Sequence, residues 1–368
     1  MTSKTFWNKM KLYPKRFGNI YQDFHSLKNM VTLRDIAEKV GRSVTTVSRA
    51  LHDYDDVSEE TKELVQKIAD ELGYTPNISA QRLQKQRTET IGFVIPTYGP
   101  RFTDPFFSEF LAGIGNKAVK LGYDILVSTH PIGEEELSSY RSKVRSYRVD
   151  GFIIVRTRRQ DTRIEYLCEA NVPFAAFGRV EGPCDFPYVD MDNEYGMTLV
   201  ARHLAGLGHQ KIAFIAAPDY LMFAHARLEG FKLGLQEQGL RLENSLVVVG
   251  DLTQKGGYEQ AEDLLDRPDP PTAIVACNDL MALGAISAAQ KRGLKVGEDI
   301  AIIGFDDIPQ AELNHPSLTT LHQPIYKIGS MVCEMLIQCL KGVSLEEKGK
   351  ILKPSLMVRE SCGGISTG

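Results

Sequence analysis

One short segment near the N-terminus carries side chains whose types and spacing suit contact with nucleic acid. Between residues 44 and 51, the apolar residues Val47, Ala50 and Leu51 share one face of a predicted helix. Its remaining sides carry four polar residues: Thr45, Thr46, Ser48 and Arg49. Arginine can donate two parallel hydrogen bonds to guanine in the major groove, and threonine can contact phosphates or thymine methyl groups. The pattern therefore predicts a base-contacting helix, with an ordinary solvent-exposed polar face as the alternative.

Polar side chains also follow predicted strands in the second part of the chain. Asn278 and Asp279 directly follow one strand, and Asp306 and Asp307 follow another. Arg227 lies near the start of a predicted helix. Amide, carboxylate and guanidinium groups together suit a ligand with several hydroxyls, which both donate and accept hydrogen bonds. The sequence thus predicts a pocket for a sugar-like molecule, although Asn278 could instead cap the next helix and Asp307 is expected to be structural.

A predicted helix directly before the polar helix provides an apolar surface for it to pack against. This first helix has an apolar stripe formed by Leu33, Ile36, Ala37 and Val40. Thr32 and Asp35 can form a capping box at the start of that helix, and Gly41 can supply a left-handed residue at its end. Ser43 can then cap the polar helix after a tight turn. A helix-turn-helix of this kind makes its second helix protrude.

A third predicted helix and a short linker complete this head. The helix follows Ser58 as its cap and ends at Gly73. Its predicted packing face consists of Leu64, Val65, Ile68, Ala69 and Leu72. Asn77 can cap a further helix over residues 78–84, which is shorter than the ~12–15 residues that an isolated helix needs in water. We therefore expect the linker helix to form only against DNA and a second copy of the chain.

Charge and composition narrow the class of protein. Residues 1–52 contain ten Lys and Arg against three Asp and Glu, although the whole chain has a net charge of −4. A basic head on an acidic body concentrates the attraction for phosphates at one end. No apolar run approaches the roughly 18–20 residues that span a bilayer, and the N-terminus lacks the apolar core of a secretory signal. The six cysteines form no C-x-x-C pair, so we expect free thiols in a reducing cytoplasm.

The chain after about residue 91 alternates predicted strands and helices. The strands are Ile91–Ile95, Tyr123–Ser128, Gly151–Val155, Phe174–Gly178, Lys211–Ala216, Leu246–Val249, Thr272–Ala276 and Asp299–Gly304. The helices include Phe106–Leu121, Ala226–Gln238, Leu280–Arg292 and a late helix, Pro324–Lys341, that is expected to return to the first lobe. The alternation predicts two similar α/β lobes, each a parallel sheet with helices on both faces. Because such sheets bind ligands beyond the carboxyl ends of their strands, the cleft between the lobes is the expected pocket.

In combination these motifs resemble the lactose/galactose repressor (LacI/GalR) family of transcription regulators. The resemblance is carried by TLRDIAEKVGRSVTTVSRAL, VSEETK and GYTPNISAQRL, and it extends over roughly residues 31–360. It implies an all-α helix-turn-helix DNA-binding head plus a hinge helix, followed by a two-lobed α/β, periplasmic-binding-protein-like effector domain. It also implies a repressor that binds a pseudo-palindromic operator as a homodimer and is controlled allosterically by a small sugar-like effector, a mono- or disaccharide.

The resemblance implies which residues contact DNA. Val44, Thr45 and Arg49 match base-contacting positions of the family. Leu83 matches the hinge leucine that wedges into the minor groove, and Ala80 matches the small hinge residue that permits close helix packing. The DNA-binding residues predicted in all are Thr32, Val44, Thr45, Thr46, Ser48, Arg49, Asn77, Ala80 and Leu83. Val44 departs from the polar or aromatic residues often found at its position, so the bases contacted stay open.

The resemblance also implies an effector site, through the runs ARLEGF, CNDLMALGA, IIGFDD and DPFFSEF. The effector-binding residues that it assigns are Arg227, Asn278, Asp306, Asp104 and Phe107. Leu252 stands where the lactose repressor has a stacking tryptophan. The candidates to replace that stacking surface are Phe107, Tyr220 and Phe223. Arg156 follows a first-lobe strand and is either a further contact or a member of an ion pair.

Two other classes of protein, an enzyme and a transport-type binding protein, are alternatives to a regulator. The sequence contains no G-x-S-x-G, H-E-x-x-H, Walker or G-x-G-x-x-G motif, and Asp306 and Asp307 are adjacent rather than facing each other across a glycosidic bond. We therefore expect no enzymatic activity, no cofactor and no metal; His203, His209 and His225 lack metal-ligand spacing. A transport-type sugar-binding protein is the remaining alternative, and the helix-turn-helix counts against it.

The expected organisation has five parts. They are an unmatched basic extension at 1–30, a helix-turn-helix domain at 31–76, a hinge helix and linker at 77–88, a two-lobed effector-binding and dimerisation domain at 89–360, and a tail at 361–368. The extension is either a DNA-touching arm or a dispensable addition before Met30. The C-terminal region has no apolar heptads of the kind that build tetramers, which favours a dimer.

Overall fold

The computed structural model describes residues 31–75, 87–97, 104–181 and 185–363. The chain divides into two compact units, residues 1–86 and 87–368, and each is described by itself. The N-terminal extension and the predicted linker helix lie outside the described residues. The predictions for Asn77, Ala80 and Leu83 therefore stay predictions.

Within the described residues, the head has three helices: α1 (Leu33–Val40), α2 (Val44–Leu51) and α3 (Glu59–Leu72). The predicted capping box is present, since the Thr32 amide donates to the Asp35 carboxylate at 2.7 Å and the Asp35 amide donates to the Thr32 hydroxyl. Gly41 ends α1 with φ of 67°, as expected for a left-handed residue. Ser58 is the N-cap residue of α3 as predicted, but its hydroxyl is hydrogen-bonded to the Thr61 hydroxyl at 2.9 Å and makes no capping bond to a backbone amide.

The three head helices share one small core. Its buried residues are Ile36, Ala37, Val47, Ala50, Val57, Val65 and Ala69. Leu64 was predicted to join them, but its side chain is 45% exposed. Val65, Ile68, Ala69 and Leu72 already fill the i, i+3, i+4, i+7 face of α3, which leaves Leu64 at the edge of that face. This core fixes α2 with its polar sides outward.

The body contains twelve strands and nine helices within its described residues. The strands are β1 (Thr90–Thr97), β2 (Asp124–Pro131), β3 (Gly151–Ile154), β4 (Phe174–Phe177), β5 (Tyr188–Met191), β6 (Ile212–Ala216), β7 (Val247–Val249), β8 (Ala273–Ala276), β9 (Ala301–Asp306), β10 (Thr319–His322), β11 (Gly349–Leu352) and β12 (Ser355–Met357). The helices are α4 (Pro105–Leu121), α5 (Glu134–Arg145), α6 (Thr162–Glu169), α7 (Asn193–Gly206), α8 (Met222–Glu237), α9 (Gln254–Leu265), α10 (Asp279–Lys291), α11 (Pro309–Leu313) and α12 (Ile325–Leu340).

Two six-stranded sheets form the two lobes, and the predicted fold class is confirmed. The first sheet has the order β11-β5-β4-β3-β1-β2 and is parallel throughout. The second has the order β12-β10-β9-β8-β6-β7 and is parallel except for β12, which pairs antiparallel with β10. All eight predicted strands are present. The four strands that were not predicted, β5, β10, β11 and β12, are only three or four residues long.

The chain passes between the lobes at three described points. It leaves the first lobe after β5, returns after β10 and leaves again after β11. The return after β10 confirms the predicted course of the late helix, because α12 packs against α4 and against strands β3, β4 and β5 of the first lobe. Residues at these crossings belong to both lobes, so a ligand that touches them can sense how the lobes are arranged.

The ends of the body differ from the predicted boundaries. Thr88 already belongs to the body, because its amide and hydroxyl donate to the Asp150 carboxylate at 2.7 and 2.8 Å. Ser361 and Cys362, which were assigned to a tail, are buried in the second lobe. The Ser361 hydroxyl donates to the Ile302 carbonyl at 2.6 Å. Hydrogen bonds to residues distant in the sequence thus extend the body in both directions.

Two further expectations concern cysteines and membranes. Cys168 is disulfide-bonded, which corrects the prediction that the thiols are free. The spacing of cysteines along the chain did not show which of them meet in space. The free cysteines of the described residues are Cys277, Cys333, Cys339 and Cys362. In the part of the chain that the structure describes, no helix has both the length and the apolar character needed to cross a bilayer.

Candidate functional sites: a polar helix and an interlobe cleft

The polar helix of the head presents the side chains that the sequence singled out. Ser43 caps α2 by accepting a hydrogen bond from the Thr46 amide at 3.0 Å. Val44, Thr45 and Arg49 are exposed, whereas Thr46 and Ser48 are partly buried. These three exposed residues are the same three that the family resemblance assigned to base contacts. Thr32 is exposed as well, but its hydroxyl is bonded to the Asp35 carboxylate at 2.8 Å within the capping box.

Arg49 has two partners that the sequence analysis missed. Its guanidinium forms a two-bond ion pair with Asp56, with Nε–Oδ1 at 3.0 Å and Nη2–Oδ2 at 2.6 Å. Its Cζ atom lies 5.1 Å from the centroid of the Tyr54 ring. Both partners belong to the turn between α2 and α3. Asp56 lies seven residues after Arg49 and beyond the end of α2, so helical periodicity does not predict that the two side chains meet.

A cleft with a cavity volume of about 50 Å³ lies between the two lobes of the body. Residues from both lobes line it, at the carboxyl ends of the strands as predicted: Asp104, Phe106, Val155, Arg156, Thr157, Phe177, Gly178, Asp190, Asn193, Phe223, Arg227, Leu252, Asn278, Asp306 and Gln323. Of the five residues assigned to the effector site, Arg227, Asn278, Asp306 and Asp104 line this cleft. Their binding role stays a prediction, and their convergence in one cavity supports it.

Arg227 is the best-anchored cation of the cleft. Only 3% of its surface is exposed. Its Nε donates to the Asn193 Oδ1 at 2.9 Å, and its Nη1 donates to the Cys277 carbonyl at 2.5 Å. The guanidinium also lies against the rings of Phe305 and Phe223, at 3.3 and 4.8 Å from their centroids. These contacts fix the guanidinium plane before any ligand arrives.

Asp306 combines a strained backbone with a buried carboxyl group. It ends β9 with φ of 123°, a conformation that L-residues rarely adopt and that often marks functional sites. Its Oδ1 accepts a hydrogen bond from Gln323 Nε2 at 2.6 Å and lies 3.7 Å from Arg227 Nη1. Burial raises the pKa of Asp306 well above its ordinary value, Arg227 opposes the rise, and the nearby carboxylates Asp279 and Asp104 add to it. Hydrogen bonds donated by ligand hydroxyls would therefore stabilise the ionised form of this carboxyl group.

Asn278 caps the next helix, which is one of the two roles that the sequence left open, and it also lines the cleft. Its Oδ1 caps α10 by accepting from the Met281 amide at 3.1 Å, and its Nδ2 donates to the Leu252 carbonyl at 3.1 Å. It is 3% exposed and lines the cleft. Capping therefore orients the amide at the cavity wall, and the two readings are compatible.

Asp104 and Arg156 form the polar part of the first-lobe wall. Asp104 caps α4 by accepting from the Phe106 amide at 3.1 Å, and its other oxygen is 2.5 Å from Arg156 Nη2. Both residues line the cleft, so the ion pair proposed for Arg156 is part of the site. Phe107 corrects the prediction, because it is 1% exposed and does not line the cleft; Arg156 Cζ lies 4.7 Å from its ring centroid. The neighbouring Phe106 faces the cavity instead, since adjacent residues of a helix point about 100° apart.

The apolar side chains that line the cleft include one of the three candidates for a stacking surface. Leu252 does line the cleft, so the position that carries tryptophan in the lactose repressor remains part of the wall here. Of the three candidate replacements only Phe223 lines the cleft, joined by Phe106 and Phe177 from the first lobe. Tyr220 is outside the lining and is 42% exposed.

Three polar residues of the cleft were not among the predicted site residues: Asp190, Asn193 and Gln323. All three lie at crossings between the lobes, just at or after the ends of β5 and β10. The rule that polar residues after strands are candidates would have found them had these short strands been predicted. Asp190 accepts from Arg179 Nε at 2.7 Å, and burial raises its pKa despite this partner. Gln323 is 2% exposed, and its Oε1 has no hydrogen-bond partner among the described residues.

Other polar candidates have structural partners. Asp307 accepts hydrogen bonds from Arg359 at 2.7 Å and pairs with His322 at 2.9 Å, as expected for a structural residue. Asp279 is fully buried and accepts from the Thr320 hydroxyl at 2.5 Å and the Ile308 amide at 2.9 Å. Within the described parts of the chain, no group of three His, Cys, Asp or Glu could hold a metal ion.

Comparison with known proteins identifies both parts of the chain. Residues 32–77 match the family model of the bacterial regulatory proteins of the lacI family, and residues 201–362 match that of the periplasmic binding protein-like domain. The HTH-type transcriptional regulator AglR of Rhizobium meliloti is 36% identical over 337 residues, covering 90% of this chain and 94% of AglR. The HTH-type transcriptional repressor CytR of Escherichia coli is 33% identical over 332 residues, covering 90% and 96%.

Solved structures agree over the same extent. The lac repressor dimer bound to operator and the anti-inducer ONPF has a TM-score of 0.78 at 31% identity, covering 91% of this chain and 99% of that one. The complex of the transcriptional regulator CelR with cellobiose has a TM-score of 0.70 at 32% identity, covering 90% and 99%.

The helix-turn-helix head, the two-lobed body and these likenesses define a DNA-binding transcription regulator. The chain belongs to the lacI family of bacterial regulatory proteins.

Proposed function

We propose that this protein is a repressor that binds a pseudo-palindromic operator as a homodimer and is controlled by an uncharged, sugar-like effector. The single observation that carries the sensing half is the cleft in which Arg227, Asn278, Asp306 and Asp104 converge. The lac repressor structure, a dimer bound to operator, supports the DNA half, and the CelR–cellobiose complex supports a sugar as ligand. We place the protein in the cytoplasm, where operator DNA is found.

The DNA half of the proposal rests on α2. Val44, Thr45 and Arg49 are its exposed candidates for base contact, and Thr46 and Ser48 flank them. Arg49 can donate two hydrogen bonds to guanine, which is worth about 1–3 kcal/mol of discrimination against a wrong base. We include Thr32, Asn77, Ala80 and Leu83 in the proposed interface on the family resemblance alone.

The charges of the cleft favour an uncharged ligand. Each charged side chain of the lining has a partner of opposite charge: Asp104 with Arg156, Asp190 with Arg179, and Asp306 with Arg227. A phosphorylated or ammonium-bearing ligand would have to compete with these pairs for a counter-charge. Hydroxyl groups need no such exchange, because they both donate and accept hydrogen bonds.

Gln323 supplies a specific requirement for the ligand. A buried acceptor without a partner costs free energy on the order of 1–3 kcal/mol. The Nε2 of Gln323 is already bonded to Asp306, so its Oε1 is the free atom. A ligand hydroxyl directed at Oε1 would remove this cost, and it would do so on a segment that joins the two lobes.

Regulation is proposed to follow from a shift between lobe arrangements. A ligand that touches both lobes and their crossings stabilises one arrangement, and the linker after the head transmits this to the two DNA-binding heads of the dimer. A coupling free energy of about 1–3 kcal/mol, or about 5–150-fold in operator affinity, is typical of such systems. A ligand with equal affinity for both arrangements would shift nothing.

We propose no enzymatic activity for the cleft. A second candidate function is a transport-type sugar-binding protein, which the periplasmic binding protein-like match over residues 201–362 favours. The lacI family match over residues 32–77 favours the regulator. A gel-shift experiment with operator DNA separates the two functions, because a transport protein would not retard any duplex specifically.

The DNA half is tested by Arg49→Ala, with Arg42→Ala as its control. Both substitutions remove one exposed positive charge from the head. We expect Arg49→Ala to abolish preference for the operator over unrelated duplexes, while Arg42→Ala weakens binding to all duplexes equally. Fluorescence anisotropy with operator and scrambled duplexes measures both. An unchanged preference in Arg49→Ala would show that α2 has been wrongly assigned.

The sensing half is tested by Asp306→Ala. We expect the variant to bind operator normally and to lose its response to any sugar that alters operator binding by the unsubstituted protein. Calorimetric titration with a panel of neutral sugars that includes cellobiose and ribose identifies that ligand first. A normal response in the variant would refute the assignment of the cleft.

A further inference from the structure

The guanidinium of Arg49 is held on one edge and one face. Asp56 accepts hydrogen bonds from the Nε–Nη2 edge, at 3.0 and 2.6 Å, and the Tyr54 ring covers one face with its centroid 5.1 Å from Cζ. Both partners precede Val57, which is 9% exposed and belongs to the head core. The Tyr54 amide also donates to the Arg49 carbonyl at 3.1 Å, so the turn is bonded to the end of α2.

This side-on arrangement leaves the other edge of the guanidinium available. A guanidinium has five N–H groups in a fixed plane. Asp56 uses one from Nε and one from Nη2, which, within the described residues, leaves both hydrogens of Nη1 and one of Nη2 without a partner. The free pair Nη1–Nη2 is the end-on edge that can donate two parallel bonds to O6 and N7 of guanine. The carboxylate therefore fixes the plane of the guanidinium without covering the edge that meets a base.

Neither stability nor affinity for DNA explains this ion pair. Its side chains are 45% and 53% exposed, and exposed pairs typically contribute about 0–1 kcal/mol to folding. A carboxylate beside a DNA-contacting arginine also repels phosphates and lowers affinity for every sequence. What the pair supplies is orientation, because a two-bond contact with a base needs a fixed plane, whereas a phosphate accepts a single bond from many directions.

We propose that Asp56 is a positioning residue that makes Arg49 selective for a base instead of a general phosphate contact. The inference rests on the proposed DNA-binding function of α2 and adds a residue outside that helix. Asp56 holds the guanidinium plane and Tyr54 limits its rotation. Without Asp56, the arginine is free to turn towards phosphates, which carry no sequence information.

The test compares three variants of the full-length protein: Asp56→Asn, Asp55→Asn and Arg49→Ala. Asp55 is the matched control, because it is an exposed neighbour whose substitution removes the same charge without touching the described Arg49–Asp56 pair. Selection from a library of randomised duplexes first gives the preferred site of the unsubstituted protein. Competition binding to that site and to its single base-pair variants, at several salt concentrations, then gives the base preference at each position.

We expect Asp56→Asn to lower discrimination at one G·C position by about threefold or more, which is part of the preference that a two-bond arginine contact provides. Binding to sequences altered at that position should stay equal or become stronger, and Asp55→Asn should keep the original preference. A mere folding defect would instead weaken binding to all sequences alike.

Two results would overturn the inference while leaving α2 as the DNA-binding helix. Asp56→Asn could match Asp55→Asn in base preference, or it could strengthen binding to every sequence by one common factor, which would make Asp56 only a source of repulsion. If the unsubstituted protein enriches no sequence, or Arg49→Ala keeps its preference, the proposed function itself fails and the inference with it.

Discussion

Two buried carboxyl groups at the base of the cleft have raised pKa values. Burial is the largest cause of the raised pKa of both Asp279 and Asp306; the Asp279 carboxylate raises the pKa of Asp306 further, and the Asp307 carboxylate raises that of Asp279. Asp279 does not line the cleft, but its Oδ1 fills the space beside Gly304, where an added Cβ would lie 2.2 Å away. Burial of Asp279 at the base of the site therefore favours the protonated form of its carboxyl group.

Asp279 provides a prediction about pH. Burial raises its pKa from 3.8 to about 6, although bonds from Thr320 and Ile308 oppose the rise. Because the folded protein holds this proton more tightly, its stabilising contribution is present below pH 3.8 and is lost as the pH rises to about 6. Asp279→Asn removes this contribution. The difference in free energy of unfolding between the two proteins should therefore shrink by up to about 3 kcal/mol from pH 4 to pH 7.

Urea unfolding of both proteins at four pH values in that interval measures the difference. A difference that does not vary with pH would show that Asp279 is ionised in the folded protein throughout, contrary to the effect expected from its burial.

Helix packing in the first lobe depends on glycines that let α4 and α12 approach closely. A Cβ at Gly113 of α4 would lie 2.1 Å from the Tyr326 carbonyl oxygen, and one at Gly329 of α12 would lie 2.4 Å from the Phe110 carbonyl oxygen. Backbone atoms cannot move aside as a flexible side chain can. The two helices therefore fix where the first-lobe wall of the cleft stands.

Gly113→Ala and Gly115→Ala give a matched prediction within α4. Gly113→Ala should lower the free energy of unfolding by about 1–3 kcal/mol or more, because the added methyl overpacks a backbone contact. Gly115 has nothing within 4 Å of an added Cβ. Gly115→Ala should therefore raise stability by about 0.5–1 kcal/mol through helix propensity. Thermal unfolding checks both, and equal effects would contradict the proposed close contact.

Bonds across the rim of the cleft tie the two lobes together in the body as a whole. The Met222 amide donates to the Thr157 carbonyl at 3.0 Å, and the Arg159 amide donates to the Tyr220 carbonyl at 2.9 Å. Arg159 Nη1 also donates to the Asp219 carboxylate at 2.8 Å. These bonds favour the arrangement of the lobes around the cleft, and we propose that a bound ligand stabilises this same arrangement.

Arg159→Ala should lower the apparent affinity for the effector by about two- to fivefold, since it removes a partly exposed pair that favours closure. Arg202→Ala is the control, because its pair with Glu237 at 3.9 Å lies within the second lobe. By thermodynamic linkage, any factor by which the effector changes operator affinity must equal the factor by which operator changes effector affinity. Calorimetric titration with and without operator checks both statements. Equal effector affinities for the two variants would exclude a role of the rim in closure.

The sequence by itself determined features that depend on nearby residues. Thr32, Gly41 and Ser43 fixed the ends of the head helices, because capping bonds span only about three residues. Alternating runs of β-branched residues and amphipathic segments gave eight of the twelve described strands. The resemblance to a known family then assigned Arg227, Asn278, Asp306 and Asp104, all of which line the cleft.

Tertiary structure alone decided which distant residues meet. Asp190, Asn193 and Gln323 enter the cleft because β5 and β10 bring them there. The sequences of these two strands, YVDM and TTLH, lack the continuous apolar run by which equally short strands were predicted. The choice of Phe106 over Phe107, and the pairing of Asp56 with Arg49, depend on side-chain directions that sequence spacing leaves undetermined. Local hydrogen bonds are encoded in contiguous residues, whereas the cleft is formed by packing between segments more than a hundred residues apart.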